Sequence, residues 1–172
     1  MRRRELLGAA LLLPLEGLAQ TCGVLTPRQT EGPFFTPKSP QRVSLLEGGE
    51  KTRIFVIGTV LSAQCNPVPN ALLDFWHSDE LGEYDNRGFR YRGHQHADAQ
   101  GRFRLETIVP AEYPGRTRHI HVKVQAPGRR ILTTQLYFPG DPGNRRDGLY
   151  RAELEMKKAK ADEASFDFVV ET

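Results

Sequence analysis

The sequence has no excess of charge of one sign, no internal repeat and no low-complexity tract. Its 24 basic residues are spread among 21 acidic ones, and no basic stripe is dense enough to track a phosphate backbone. Nucleic acid is therefore not expected as a partner. With 38% hydrophobic residues in 172, the composition excludes wholesale disorder, a collagen-like repeat and a polytopic membrane protein, and the length suits one domain.

Long apolar runs are also lacking, apart from one near the start of the chain. The run from Leu6 to Leu15 follows three arginines and is about half as long as a membrane-spanning helix needs to be, so we expect no stable membrane anchor. The order of charges, apolar run and small residues predicts an export signal over residues 1–19, and residues 3–7 resemble a twin-arginine signal. We therefore expect an exported protein, periplasmic or extracellular.

Cysteine is scarce, with only Cys22 and Cys65 in the whole chain. An even number of cysteines in an exported protein predicts a disulfide between them. Two free buried thiols are the alternative. The residues before Cys22 lack the small side chain expected next to a lipidated cysteine, which argues against a lipoprotein.

Short runs of β-branched and aromatic residues, separated by Pro and Gly, indicate an all-β fold. The predicted strands are Arg53–Leu61, Ala71–His77, Gly101–Ile108, His119–Gln125, Leu132–Phe138 and Phe166–Val170. Their spacing predicts a β-sandwich of mostly antiparallel strands with long irregular loops. Residues 20–50 are predicted to be an irregular arm of a domain that spans residues 20–172. Only Arg151–Ala164 has helix-forming composition, so at most one short helix is expected.

Four of the five histidines fall in two His-x-His pairs. His119 and His121 lie in a predicted strand, where residues two apart project from one face and can bind one metal ion. His94 and His96 sit near a turn and are weaker candidates. Surface or hydrogen-bonded core histidines are the alternative interpretation of either pair.

Further ligands to such a metal lie upstream of the pair His119–His121. Glu112 offers a carboxylate, whereas Tyr84 and Tyr113 offer phenolates, which suit a hard trivalent ion such as Fe(III). The spacing alone leaves these alternatives open.

Five separated motifs together resemble the intradiol ring-cleavage dioxygenases, which include protocatechuate 3,4-dioxygenases and catechol 1,2-dioxygenases. The resemblance runs in order from about Thr26 to the C-terminus. It rests on TEGPFF (30–35), DFWHSDELGEYD (74–85), PAEYP (110–114), RTRHIH (116–121) and TTQLYF (133–138).

The resemblance implies a non-haem Fe(III) held by Tyr84, Tyr113, His119 and His121. It implies catalytic roles for Arg116, which would stabilise negative charge on the ring, for Gln135, which would orient an oxygen, and for Tyr113, which would take up a proton. The reaction would cleave a small aromatic diol with O₂ between its two hydroxyl carbons, giving a cis,cis-muconate. Thr117 stands where the family usually has proline.

Other functions are compatible with the same residues. The fold could serve a secreted binding module that has lost its metal, or a zinc or copper enzyme could use all four paired histidines. The resemblance places no ligand at His94 or His96, which we predict to be loop residues. The chain lacks the helical N-terminal region of the catechol 1,2-dioxygenases, so a homo-oligomer would need another surface. A carboxylated catechol would require a cation, with candidates Arg90, Arg92 and Arg118.

Overall fold

The computed structural model describes residues 23–172. It contains nine strands: β1 (Ile54–Ser62), β2 (Leu72–Trp76), β3 (Arg92–His96), β4 (Arg102–Thr107), β5 (His119–Gln125), β6 (Leu132–Tyr137), β7 (Lys157–Lys160), β8 (Glu163–Ser165) and β9 (Phe168–Val170). Within the described range the helices are two short 3₁₀ turns, Pro142–Arg145 and Ala152–Leu154, and none is long and apolar enough to cross a membrane.

The strands form two sheets. One sheet has the order β4-β1-β8-β7, with β9 also pairing with β1, and the other has the order β3-β2-β5-β6. All pairs are antiparallel except those of β1 with β8 and β9, which are parallel. The predicted all-β sandwich is confirmed.

The hydrophobic core lies between the two sheets. β1 and β4 supply Val56, Val60 and Leu105, and β5 supplies Ile120, Val122 and Val124, all fully buried. Because side chains alternate along a strand, the two histidines of β5 face away from this core. Residues 23–50, which we call the arm, contain no regular strand or helix. The arm bonds to both sheets, for example from Gln29 N to Thr133 O of β6 at 2.9 Å and from Leu45 N to Glu106 O of β4 at 2.8 Å.

The predicted export signal and Cys22 lie outside the described residues. Cys65 is disulfide-bonded, and Cys22 is the one other cysteine in the sequence.

The helix predicted over Arg151–Ala164 is wrong. After the 3₁₀ turn the chain forms the hairpin of β7 and β8. β8 pairs with β1 and places Ala164 opposite Val56 in the core. A helix here would leave the β1 edge unpaired, so strand pairing overrides the local helix propensity.

The loop predicted at His94 and His96 is also wrong, because both residues lie in β3. The segment Arg-Gly-His-Gln-His contains no β-branched residue and gives no strand signal. The segment pairs with β2 along its whole length. Gly93 leaves room for the arm to pack against this strand, since a Cβ there would lie 2.8 Å from a methyl of Leu45.

His77, which follows the last residue of β2, is expected to make the folded protein sensitive to acid. Its Nδ1 lies 2.7 Å from Ser78 O and its Nε2 lies 2.6 Å from Thr107 Oγ1, and burial lowers its pKa to about 4. The unfolded chain, with a pKa near 6.5, therefore binds more protons between about pH 6.5 and 4, so stability is full above this window and falls as the pH is lowered through it.

We expect this imidazole to cost about 2–3 kcal/mol of the free energy of unfolding between pH 7 and pH 4.5. The measurement is urea unfolding of metal-free protein at both values. His77→Gln, which lacks the titrating group, should lose correspondingly less stability, and an equal loss in both proteins would contradict the prediction.

Candidate metal centre

Two imidazoles of β5 meet on the outer face of its sheet. His119 and His121 are 2% and 1% exposed, and their Nε2 atoms lie 3.1 Å apart. This separation is close to the spacing of two neighbouring ligands on one metal ion, whose metal–nitrogen bonds are about 2.0–2.1 Å. The structure thus brings together the two histidines that their spacing in the sequence predicts to share one face of a strand.

Burial disfavours protonation of both imidazoles, and their Nε2 atoms face each other in the site. His119 Nδ1 lies 2.6 Å from the carbonyl oxygen of Thr117, to which it donates, so its Nε2 carries a lone pair. Burial lowers the pKa of His119 to about 4 and that of His121 well below its usual value. The His121 ring stacks on Trp76, with ring centres 4.8 Å apart.

Two tyrosines approach these histidines from separate loops. The Tyr113 ring centre lies 5.7 Å from that of His119 and 5.7 Å from that of Tyr84, which in turn lies 6.2 Å from that of His121. The Tyr84 hydroxyl is buried and has no hydrogen-bond partner, and burial raises the pKa of this phenol. A buried hydroxyl without a partner is rare in folded proteins, and a bound ion or water is one way to satisfy it.

Two aspartates shape the loop that carries Tyr84. Asp79 Oδ1 accepts from the backbone N–H groups of Leu81 and Glu83, at 2.8 and 2.9 Å. Asp85 accepts from three further backbone N–H groups of the loop, and these bonds lower its pKa to about 2. Such side-chain bonds to nearby N–H groups fix turns, so Tyr84 is held from both sides.

Gly82 allows this loop to meet the loop of Tyr113. Its φ is +85°, and a Cβ at this position would lie 2.5 Å from the carbonyl oxygen of Glu112. Only glycine fits such a conformation and contact.

The arm covers the tyrosines and histidines. Phe34 stacks on Tyr84 with ring centres 4.4 Å apart, and Phe35 packs on Trp76 at 4.9 Å. A Cβ at Gly32 would lie 3.5 Å from Cε1 of His121, so the backbone of the arm passes close to that ring.

Arg92 connects the arm to the Tyr84 loop. This arginine is 1% exposed, and it donates from Nη1 to Phe34 O at 2.6 Å and from Nε and Nη2 to Asp85 O at 3.0 and 2.8 Å. Arg92 therefore donates to one carbonyl group of the arm, Phe34 O, and to one of the Tyr84 loop, Asp85 O.

Removal of this cation is expected to destabilise the fold. Arg92→Met leaves two part-buried carbonyl groups, Phe34 O and Asp85 O, without this donor, so we expect the free energy of unfolding to fall by about 2–4 kcal/mol. Arg102→Met, which breaks an exposed pair with Asp98, should cost no more than about 1 kcal/mol. Urea unfolding of the metal-free variants tests this, and equal losses would show that Arg92 is not the connecting residue.

Arg116 and Gln135 lie beside Tyr113. Arg116 Nη1 lies 3.4 Å from the Tyr113 hydroxyl, and Nη2 donates to Gln135 Oε1. Gln135 Nε2 donates to Thr30 O at 3.0 Å. Both ends of the Gln135 amide are therefore engaged, and the amide orients Arg116.

Asp147 and Tyr137 were not identified from the sequence. Asp147 accepts from Arg116 Nε at 2.9 Å, and the Tyr137 hydroxyl lies 3.1 Å from Gln135 Oε1. Asp147 becomes a neighbour of Arg116 only through long-range folding, and no local pattern marks it. Tyr137 lies two residues after Gln135 on β6 and therefore on the same face of the strand, which is the signal that could have identified it.

His94 and His96 take no part in this cluster. His94 Nδ1 lies 2.7 Å from Ser39 O, and His96 is exposed on β3. Across residues 23–172 no group of three or more His, Cys, Asp or Glu side chains is placed to hold a metal ion. The structure therefore does not bring the four paired histidines together into one site.

A cleft of about 320 Å³ opens beside the cluster and is lined by Tyr113 and Arg116. Two neutral imidazoles and two phenols converge next to it. Nitrogen and phenolate oxygen donors together suit a hard trivalent ion. The cleft reaches the cluster at Tyr113.

Known proteins with similar sequences are dioxygenases. The family model Dioxygenase_C, described as Dioxygenase, matches residues 30–171. The chain is 31% identical to catechol 1,2-dioxygenase 2 of Acinetobacter lwoffii, over 82% of this chain and 64% of that protein. It is 32% identical to hydroxyquinol 1,2-dioxygenase of Corynebacterium glutamicum, over 64% of this chain and 45% of that protein. The chain thus spans less than two thirds of the length of these relatives.

Solved structures show the same likeness. The dioxygenase domain of a dioxygenase carbohydrate-binding protein fusion from Streptomyces sp. SirexAA-E is 51% identical, with a TM-score of 0.83 over 86% of this chain and 99% of that one. Hydroxyquinol 1,2-dioxygenase from Pseudomonas putida DLL-E4 is 27% identical, with a TM-score of 0.77 over 86% of this chain and 66% of that one. The chain therefore belongs to the intradiol ring-cleavage dioxygenase family.

Proposed function

We propose that this protein is a non-haem Fe(III) dioxygenase that cleaves the ring of a catechol between its two hydroxyl carbons, giving a cis,cis-muconate. The observation that carries the proposal is the convergence of two neutral imidazoles, 3.1 Å apart at Nε2, with two tyrosines, one of which has a buried hydroxyl without a partner. Family membership supports the same reaction.

The residues present fit a ferric ion. Tyr84, Tyr113, His119 and His121 would hold it, and the ion would supply Lewis acidity that activates a bound diol toward O₂. An ion next to Tyr84 would also supply the partner that its buried hydroxyl lacks, because a cation favours the phenolate over the phenol.

Tyr113 is the tyrosine best placed to hold a proton from the substrate. It lines the cleft and is partly exposed, and its hydroxyl lies next to the Arg116 guanidinium. A proton leaving a substrate hydroxyl would be held at Tyr113 Oη, while Tyr84, covered by Phe34, stays in place.

Arg116 would stabilise negative charge that develops on the ring. Its side chain is 13% exposed and held by Asp147 and Gln135, so the guanidinium is oriented before substrate binds. A preorganised cation in a site with little water stabilises such charge more than it would in bulk water.

The charges around the site favour a ring without a carboxylate. Arg90 pairs with Asp79 and Arg118 with Asp141, while Arg92 is buried against carbonyl groups. None of these candidates for a carboxylate partner is free. Arg146 also lines the cleft, but it is exposed to water, where an ion pair is worth about 0–1 kcal/mol.

The experiment is O₂ uptake by iron-loaded protein with catechol and with protocatechuate, together with identification of the product. We expect one O₂ consumed per catechol, with both atoms recovered in a muconate, and a lower kcat/KM for protocatechuate. A protein that binds iron but consumes no O₂ with either diol would overturn the proposal.

A further inference from the structure

Three consecutive residues before β5 form hydrogen bonds to segment 141–147, and their partners in that segment are evenly spaced along the chain. The hydrogen bonds join Arg116 Nε to Asp147 (2.9 Å), Thr117 Oγ1 to Asn144 (2.9 Å) and Arg118 Nη1 to Asp141 (2.8 Å). The partners are three residues apart, which is the repeat of the 3₁₀ turn that this segment contains. The segment 141–147 is therefore docked along the residues that lead to His119.

Asp147 has the central position in this contact. Its side chain is 1% exposed. Oδ2 accepts from Arg116 Nε at 2.9 Å and from the Thr117 backbone N–H at 3.0 Å, and Oδ1 accepts from Leu149 N at 2.8 Å. A proline at position 117 would have no N–H to donate, so this bond requires a residue other than proline there.

We propose that Asp147 is the positioning residue for Arg116, and that the Thr117 N–H holds the Asp147 carboxylate in place. The carboxylate engages Nε, which leaves Nη1 facing Tyr113 and Nη2 facing Gln135. A planar guanidinium fixed at Nε and Nη2 has one orientation, so its remaining donor is aimed into the site. This inference rests on the proposed function.

Asp147→Asn tests the role, because it keeps the size of the side chain but removes the charge that holds the guanidinium. We expect kcat for catechol to fall about tenfold, the scale typical for loss of a partner that orients a site residue. KM should stay within about twofold, because Arg116 acts on charge that develops after binding. Iron content and the visible spectrum should match the wild type, which a general loss of structure would not leave intact.

Asp98→Asn is the matched control. Asp98 also accepts from an arginine Nε and a backbone N–H, both of Arg102, at 2.7 and 2.9 Å, but it lies at a turn away from the site. Its kcat should equal that of the wild type.

Thr117 supplies a second test that does not change Asp147. Thr117→Val removes the hydroxyl bond to Asn144 and keeps the N–H, whereas Thr117→Pro removes both. We expect the proline variant to have the lower kcat, by about tenfold relative to valine.

The decisive comparison is Asp147→Asn in an Arg116→Ala background. If Asp147 acts through Arg116, the second substitution lowers kcat no further. A tenfold loss in both backgrounds, or an unchanged kcat in the single variant, would overturn the inference. Failure of the wild-type protein to cleave catechol would instead contradict the proposed function.

Discussion

His121→Ala is expected to abolish tight iron binding and with it the visible absorption of the loaded protein. The substitution removes one of two imidazoles whose Nε2 atoms lie 3.1 Å apart. It also leaves Trp76 without the ring stacked on it. Loss of a metal ligand should exceed the about 10- to 100-fold fall in affinity seen when a residue supporting a ligand is removed. Iron is measured by metal analysis after dialysis against a chelator of known affinity.

The control for this experiment is His94→Ala. His94 belongs to the other His-x-His pair, on β3, and bonds Ser39 rather than the cluster. It should retain full iron content and an unchanged spectrum. Tyr113→Phe tests the same assignment through a phenol and should weaken or remove the visible band. Full iron and unaltered spectra in both ligand variants would refute the assignment of ligands.

Arg116→Ala is expected to lower kcat for catechol about 10²- to 10³-fold, the cost typical for removing one group that stabilises developing charge. Iron content should be retained, because Arg116 contacts Tyr113 at 3.4 Å but supplies no ligand atom. Steady-state O₂ uptake at saturating catechol measures the effect.

Arg102→Ala provides the comparison for loss of a cation, since Arg102 forms an exposed pair with Asp98. Its kcat should stay within about twofold of wild type, because surface substitutions away from such sites have small effects. An Arg116→Ala enzyme with wild-type kcat would show that charge stabilisation at this position is not part of the reaction.

Several strands could be predicted from the sequence, because buried apolar side chains recur at every second residue of a strand. In β5 the residues Ile120, Val122 and Val124 face the core, and the intervening histidines face the site. The segment 151–164 misled the prediction, since its Ala, Glu and Lys content favours a helix while its structure is decided by the free edge of β1. β3 gave no signal, because its strand depends on pairing with β2.

The candidate site was predictable only in part. The spacing of His119 and His121 predicts that both side chains project from one face of a strand. Tyr84 and Tyr113 were selected as ligands through the family resemblance. Nothing local to Asp147 indicates that it would meet Arg116, 31 residues away in the chain. Likewise, the burial of Arg92 against the arm depends on segments 58 residues apart. Such neighbours are set by tertiary packing.

The measurement that tests the account most directly is the visible spectrum of the purified, iron-loaded protein before and after anaerobic addition of catechol. Coordination of Fe(III) by tyrosinate predicts a broad absorption band, and binding of catechol in the cleft predicts a shift of that band to longer wavelength. A colourless protein that takes up no iron would contradict the proposed metal centre and would favour a binding module that keeps the fold without the chemistry.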